Sequence, residues 1–236
     1  MATPHIAAAA GAIAPAVLMP GDPKRAERMA AAILQGSRVV SDVRGIQVHT
    51  GTVEGAPLSI MASGMGMPSM ALYATELFRF YGVTRIVRVG TAGGLSPRVD
   101  TGDVVVAVGA HTASSMNELR IPGLHFAAVA DWGLLAAAMA AAAGDPRVVA
   151  GTIVSNDHFY REFQSGYHEA LAAHSVLACE METAALYGVA AAEGRAALAI
   201  CTVSNHLLKP DRDMTPADRE QVFDQALKLA VAAALS

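Results

Sequence analysis

The sequence predicts a single α/β domain, a β-sheet covered by helices, and three observations carry that prediction. Strand-like and helix-like segments alternate along the chain, the pattern of a sheet with covering helices. The 236 residues are 53% hydrophobic and 16% charged, which is enough apolar material for a full core and too little charge for disorder or a coiled coil. No repeat, linker or charge block divides residues 1–236, so one domain is expected.

Val17-Leu18-Met19 reads as a short strand broken by Gly21-Asp22-Pro23. Asp22 suits an N-cap and Pro23 a first helical position, which predicts a helix from Lys24 to Leu34. Two β-like runs follow, Gln47–Val53 and Leu58–Ser63; Gly64-Met65-Gly66 then turns the chain and Pro68 opens a helix through Phe80. Arg85–Val89 is a buried-type strand running into Gly90-Thr91-Ala92-Gly93-Gly94, and Val104–Val108 and Thr152–Val154 are further core strands. Leu134–Ala143 and Glu182–Ala192 read as helices, Leu198–Val203 as a strand, and Pro216 starts a closing helix.

The composition excludes several classes of function. A net charge of −4 with 17 Lys and Arg gives no footprint for nucleic acid. Cys179 and Cys201 form no CxxC, so neither a disulfide framework nor a zinc site is suggested, and a reducing cytoplasm is the expected setting. The Ala-rich opening Ile6–Ala16 lacks the basic start of a signal peptide, and Leu134–Ala143 is far short of the roughly 20 residues of a spanning helix. No membrane partner is expected.

Chemistry should gather where apolar runs give way to polar or Gly-containing turns, because ligands of open α/β sheets bind at strand carboxyl ends. At Gly21-Asp22-Pro23-Lys24-Arg25, a helix N-terminus favours an anion, and Arg25 in its first turn fits best beside one. The alternative is a solvated surface Arg. Arg88 lies in an apolar strand and needs a charge partner. With the Thr91 hydroxyl and the Gly-turn amides it can hold a tetrahedral oxyanion, or it forms an ion pair with an acid such as Asp103. No GxxxxGK followed by Ser or Thr is present, and Gly64-Met65-Gly66-Met67-Pro68-Ser69 lacks the third glycine of a dinucleotide fingerprint. Glu180 and Glu182 flank Met181 before an Ala-rich helix; they can accept from a ribose diol or serve as helix N-terminal charge. No metal-ligand spacing joins them to His174. Ser204 and Asn205 end an apolar strand, where an amide can read a heterocycle edge or simply form a turn. Phe159 and Tyr160 can stack on a base or pack in a core.

With an anion site, a diol site and a base-like site in this order, the chain resembles the nucleoside phosphorylase-I family, most closely its hexameric bacterial purine nucleoside phosphorylases. The resemblance covers essentially the whole chain. It rests on Thr3-Pro4-His5-Ile6, Val17-Leu18-Met19-Pro20-Gly21-Asp22-Pro23, Val43-Arg44-Gly45, Gly64-Met65-Gly66-Met67-Pro68-Ser69, Arg88-Val89-Gly90-Thr91, Glu180-Met181-Glu182 and Cys201-Thr202-Val203-Ser204. It implies a phosphorylase/hydrolase-like fold with a central twisted mixed sheet, partly barrel-like. It also implies roles. Gly21, Arg25, Arg88 and Thr91 would hold phosphate, with Arg44 supplied by a neighbouring subunit. Glu182 would bind the ribose hydroxyls beside Met181 and Met65, with Glu180 and Ser204 in the same nucleoside site. His5, also from the neighbour, would reach the 5′-hydroxyl, and Phe159 would stack near the purine. The dimer is then the minimal active unit and a trimer of dimers the family arrangement. Inorganic phosphate is a co-substrate, and no metal or organic cofactor is implied.

Two departures from the family pattern matter. Asn205 stands where the hexameric enzymes that accept adenosine carry an Asp, so a 6-oxopurine preference is expected. The resemblance makes Asn205 and Arg219 the catalytic pair, Arg219 matching the Arg that assists that Asp, a role that Asn205 puts in question. Gly166 stands two residues after Gln164, where uridine phosphorylases carry an Arg, which argues against pyrimidines. A nucleosidase of the same fold would not need Arg25, Arg44 and Arg88 together. A non-catalytic nucleoside-binding protein would bind inosine without turnover.

Overall fold

The computed structural model describes residues 2–160, 164–209, 214 and 216–236, with the side chains of 216–222 outside that description. Arg219 therefore lies outside the described residues. The strands are β1 (Ala16–Met19), β2 (Gln35–Val43), β3 (Ile46–Val53), β4 (Ala56–Met61), β5 (Arg85–Gly94), β6 (Val104–Thr112), β7 (Val148–Ser155), β8 (Ala178–Glu180) and β9 (Ala196–His206). The helices are α1 (Pro23–Ile33), α2 (Met67–Phe80), α3 (Ser115–Glu118), α4 (Trp132–Ala142), α5 (Tyr167–Ala173), α6 (Thr183–Glu193) and α7 (Pro216–Ala234).

The strands form one mixed sheet in the order β2-β3-β4-β1-β5-β8-β7-β6-β9, and β9 returns to pair with β5. Strands β5, β8, β7, β6 and β9 thereby close into a barrel, while β1, β4, β3 and β2 extend from β5 as an open wing. The expected mixed, partly barrel-like sheet is present. β5 belongs to both halves, and its buried Ile86, Val87 and Val89 meet the equally buried Val17 and Leu18 of β1 and Leu198 and Ile200 of β9. Tyr187 on α6 stitches the barrel from outside: its hydroxyl donates to the Ala107 carbonyl at 2.6 Å and accepts from the Ala199 N–H at 3.0 Å.

The expected elements are found, most with ends moved by a residue or two, but β5, β6, β7 and β9 run three to five residues beyond the expected strands, and four more elements appear. β2 was hidden because it is the exposed outer strand of the wing, polar over most of its length and interrupted by register shifts. β8 has only three residues and owes its state to pairing with β5 and β7. Helices α3 and α5 have four and seven residues, too short for a helical period to register.

Candidate active site

Strands β1, β4, β5 and β9 run parallel to one another, so their carboxyl ends open on the same side of the sheet. There a cleft of about 760 Å³ is lined by the turns that follow them. Gly21 leaves β1 and Gly64 leaves β4, and the two turns touch: a Cβ on Gly21 would lie 3.6 Å from the Gly64 carbonyl oxygen. Asp22 caps α1 as expected, accepting from the Lys24 N–H at 2.9 Å. Gly66 heads α2 with φ 87°, a conformation that suits only glycine here, and its N–H reaches across the cleft to Glu182 Oε1 at 2.5 Å.

Arg88 is the centre of this arrangement. β8 runs antiparallel to β5, so the chain that leaves it returns along β5 from Gly94 toward Arg88 and delivers Glu180 and Glu182 to the guanidinium. Arg88 Nε donates to Glu180 Oε2 at 3.0 Å and Nη2 to Glu182 Oε2 at 2.5 Å, all three residues being buried. Asp103 is not the partner; it pairs with Arg147 at 3.2 Å on the far side of the barrel mouth. Burial opposes the Arg88 charge, but the two carboxylates more than offset this and hold its pKa above the ordinary guanidinium value. Burial pushes the Glu182 carboxyl up, with Arg88 pulling the other way and Glu180 adding to the rise. Glu180 is fully engaged: besides Arg88 it accepts from the Ser155 hydroxyl and from the N–H groups of Glu182 and Thr183. Glu182 accepts from the Gly66 N–H on Oε1 and from Arg88 on Oε2, with the Met181 backbone as a further donor, and it lines the cleft.

One atom of the trio has no partner. Arg88 Nη1 is buried and makes no hydrogen bond, and it lies beside Gly21, 3.9 Å from where a Cβ on that glycine would sit. An orphaned guanidinium N–H is costly unless a ligand meets it. Arg25 closes the same end of the cleft, its guanidinium 5.0 Å over the ring of Phe223 on α7. Burial and then the Arg88 charge lower its pKa, although Asp22 pulls it up. Two cations line one cleft and one of them keeps an unpartnered donor, an arrangement able to hold an anion.

The opposite end of the cleft is built around Gly93. β5 pairs this residue with Cys179 on one side and Asn205 on the other. Leu207 lies against it so closely that a Cβ there would come within 2.9 Å of the Leu207 Cγ. The Asn205 side-chain oxygen accepts from the Ser204 hydroxyl at 3.1 Å, and both residues line the cleft. Asn156, fully buried after β7, donates to Cys179 Sγ at 3.0 Å and accepts from the Tyr167 hydroxyl at 2.8 Å. Phe159 stands at the rim, 76% exposed, packed edge-on against Tyr160. Its aromatic face is thus offered to the cleft mouth rather than to a core.

Gly21, Arg25, Met65, Arg88, Thr91, Phe159, Glu180, Met181, Glu182, Ser204 and Asn205 all line this one cleft. His5 and Arg44 do not. His5 packs edge-on to Tyr73 and meets Glu76, and the Arg44 charge is felt at the Tyr73 hydroxyl. Arg44 occupies a left-handed turn position, φ 58°, at the tip of the β2–β3 hairpin. The N-terminal segment, this hairpin and α2 therefore bring both side chains to one patch away from the cleft.

Residues 15–236 match the phosphorylase superfamily over nearly the whole chain. This chain belongs to that superfamily. Its relatives include the DeoD-type purine nucleoside phosphorylase of Myxococcus xanthus, 47% identical over 98% of this chain and 96% of that protein. Those of Hahella chejuensis, 45% identical, and Proteus mirabilis, 44%, align over 100% of this chain and 99% and 98% of theirs.

Within this superfamily chain, the cleft also contains Asn156, His158, His168, Cys179 and Leu207, which no motif had singled out. Asn156 carried a usable signal, because it is a polar residue ending an apolar strand just as Asn205 is. Cys179 carried none, since its place depends on a three-residue strand. Among the described residues no cluster of His, Cys, Asp or Glu could hold a metal ion, and no helix is long and apolar enough to cross a membrane.

Proposed function

We propose that this chain is a purine nucleoside phosphorylase. It catalyses reversible phosphorolysis of purine ribo- and 2′-deoxyribonucleosides to the free base and (2-deoxy)ribose 1-phosphate, in a reducing cytoplasm and with no cofactor besides phosphate. The observation that carries the reading is the buried Arg88, held by Glu182 and Glu180 while its Nη1 stays unpartnered between Gly21 and the cleft. The likeness to proteins named as purine nucleoside phosphorylases supports it across the full chain.

The chemistry follows from this charge arrangement. Phosphate sits against Arg88 Nη1, Arg25, Gly21 and the Thr91 hydroxyl, with Arg44 of a neighbouring copy completing the set. Glu182 accepts from the ribose hydroxyls, and Met181 and Met65 pack on the sugar. The C1′–N9 bond breaks as a C1′–O bond to phosphate forms, through an oxocarbenium-like transition state. The arginines hold the nucleophile in line and out of water, and its negative charge stabilises the developing cation. The base leaves with its electron pair, eased by a hydrogen bond at N7.

Asn205 supplies that bond. Its oxygen already accepts from Ser204, and its NH2 carries two donors for a purine edge. An amide donates to N7 and to a 6-oxo group, whereas a 6-amino group would meet a second donor; the reading is therefore a preference for inosine and guanosine over adenosine. His5 and Arg44 share one patch off their own cleft, which suits donation to a second copy, with the dimer as active unit and a hexamer as the assembly.

Initial rates on inosine and adenosine, each with and without phosphate, test the reading. Phosphate-dependent cleavage favouring inosine is expected. Cleavage indifferent to phosphate would make the protein a nucleosidase, and binding without turnover a nucleoside-binding protein. An adenosine kcat/KM equal to or above that of inosine would remove the Asn205 assignment.

A further inference from the structure

We propose that Glu76 is a positioning residue for nucleoside binding: it fixes the His5 ring so that Nε2 is presented outward to the 5′-hydroxyl of a substrate bound by a neighbouring copy. The inference rests on the proposed function and on the donation of His5 that it includes.

The observations lie outside the cleft. His5 Nδ1 is 2.7 Å from Glu76 Oε1, and the other carboxylate oxygen accepts from the Thr3 hydroxyl. A carboxylate oxygen has lone pairs and no hydrogen to give, so the ring donates from Nδ1. That leaves Nε2 as the free nitrogen, pointing away from α2, and in the neutral ring it is an acceptor matched to a hydroxyl donor. Glu76 is 8% exposed and stands one helical turn from Tyr73, whose ring meets the imidazole edge-on with centroids 6.3 Å apart. The imidazole is therefore held by a bond on one edge and by an aromatic contact, while its side chain remains 30% exposed. One Glu76 oxygen serves the Thr3 hydroxyl, and the other is placed where it aims the half-buried histidine.

The backbone around His5 is held independently. The Thr3 N–H donates to the Tyr81 hydroxyl at 3.1 Å, and that hydroxyl in turn donates to the Ile6 carbonyl. Changing Glu76 therefore releases the ring while Tyr81 and the Thr3–Ile6 turn still hold the segment that carries it. This separates a positioning role from a purely structural one.

The test compares phosphorolysis of inosine and of 5′-deoxyinosine, which lacks the hydroxyl that His5 would meet. Glu76→Gln keeps the shape but lets an amide donate to Nδ1, so the ring is no longer confined to one tautomer. The expected result is a loss of about three- to tenfold in kcat/KM on inosine, the scale of one neutral hydrogen bond, with 5′-deoxyinosine unchanged within about twofold. In the His5→Ala background Glu76→Gln should add no further loss. Should Glu76→Gln fail to fold, Glu76→Asp keeps the carboxylate but draws it back from the ring, and should give a loss with the same substrate selectivity. Equal losses on both substrates, no loss on inosine, or full additivity with His5→Ala would overturn the proposal. Parental enzyme that phosphorolyses neither nucleoside would remove the functional reading itself, a result that no variant is needed to see.

Discussion

Arg88 meets two carboxyl groups before any anion arrives, so its charge is already shared with Glu180 and Glu182. Under the proposed function a phosphate approaching it needs further cations, a physical role for Arg25 beside it and for the proposed Arg44 of a neighbouring copy. The sequence announced Arg88 clearly, as a charge inside an apolar strand. It misdirected on the partner, because the acids arrive through the antiparallel pairing of β8, a contact that no local pattern encodes. Replacing Arg88 with Ala leaves two unpaired buried carboxylates and should cost about 3–5 kcal/mol of stability, read from urea unfolding midpoints, besides abolishing phosphate-dependent turnover. Asn205 tests the base end. Asn205→Asp restores an ionisable group where an amide now sits, and the adenosine-to-inosine ratio of kcat/KM should rise about tenfold or more. An unchanged ratio would place base selection in other residues.

Among the elements, β5 sets the order of the site. It bears Arg88 at the anion end, Thr91 in the middle and Gly93 under the base end, so its register alone determines how far apart the two ends lie. This order was legible from the Arg-x-Gly-Thr-x-Gly-Gly run, since each residue type there has a reason to be at a strand end. The glycines have a second reason, visible only in the fold. A Cβ on Gly90 would lie 2.8 Å from Arg88 Nη2 and 3.1 Å from Cys201 Sγ. Gly90→Ala should therefore push the guanidinium off Glu182 and raise the KM for phosphate about tenfold while the protein still folds, measured by phosphate titration at saturating inosine. The elements that sequence reasoning missed, β2, β8, α3 and α5, are outer, very short or polar, so tertiary pairing rather than intrinsic pattern creates them.

On the scale of the whole molecule, the closed barrel buries groups that report on its integrity. Burial pushes the Cys201 thiol up to about 12, against the help of Arg88. The fold therefore keeps this proton at a pH where the unfolded chain has released it. The stability that this proton supports is complete below about 8.5 and declines as pH rises toward 12, by up to roughly 1.4 kcal/mol per pH unit. Unfolding midpoints at pH 8 and 10 should show that decline, and Cys201→Ala should flatten it. The proposed sharing of His5 and Arg44 makes a different whole-molecule prediction. A His5→Ala, Arg44→Ala double variant and a Glu182→Ala variant, each inactive alone, should on mixing and reassembly regain about a quarter of parental activity, because half of the random pairs carry one intact site. No recovery would mean that each chain completes its own site. The position of β5, bonded on both sides and crowded where its glycines face Arg88 and Leu207, also bears on how such a protein can diverge. A change in this strand disturbs folding and bond-breaking together, whereas Asn205 and Phe159 sit at its margins and can be exchanged singly. Descendants of this chain would alter which base they accept long before they alter the reaction they perform on it.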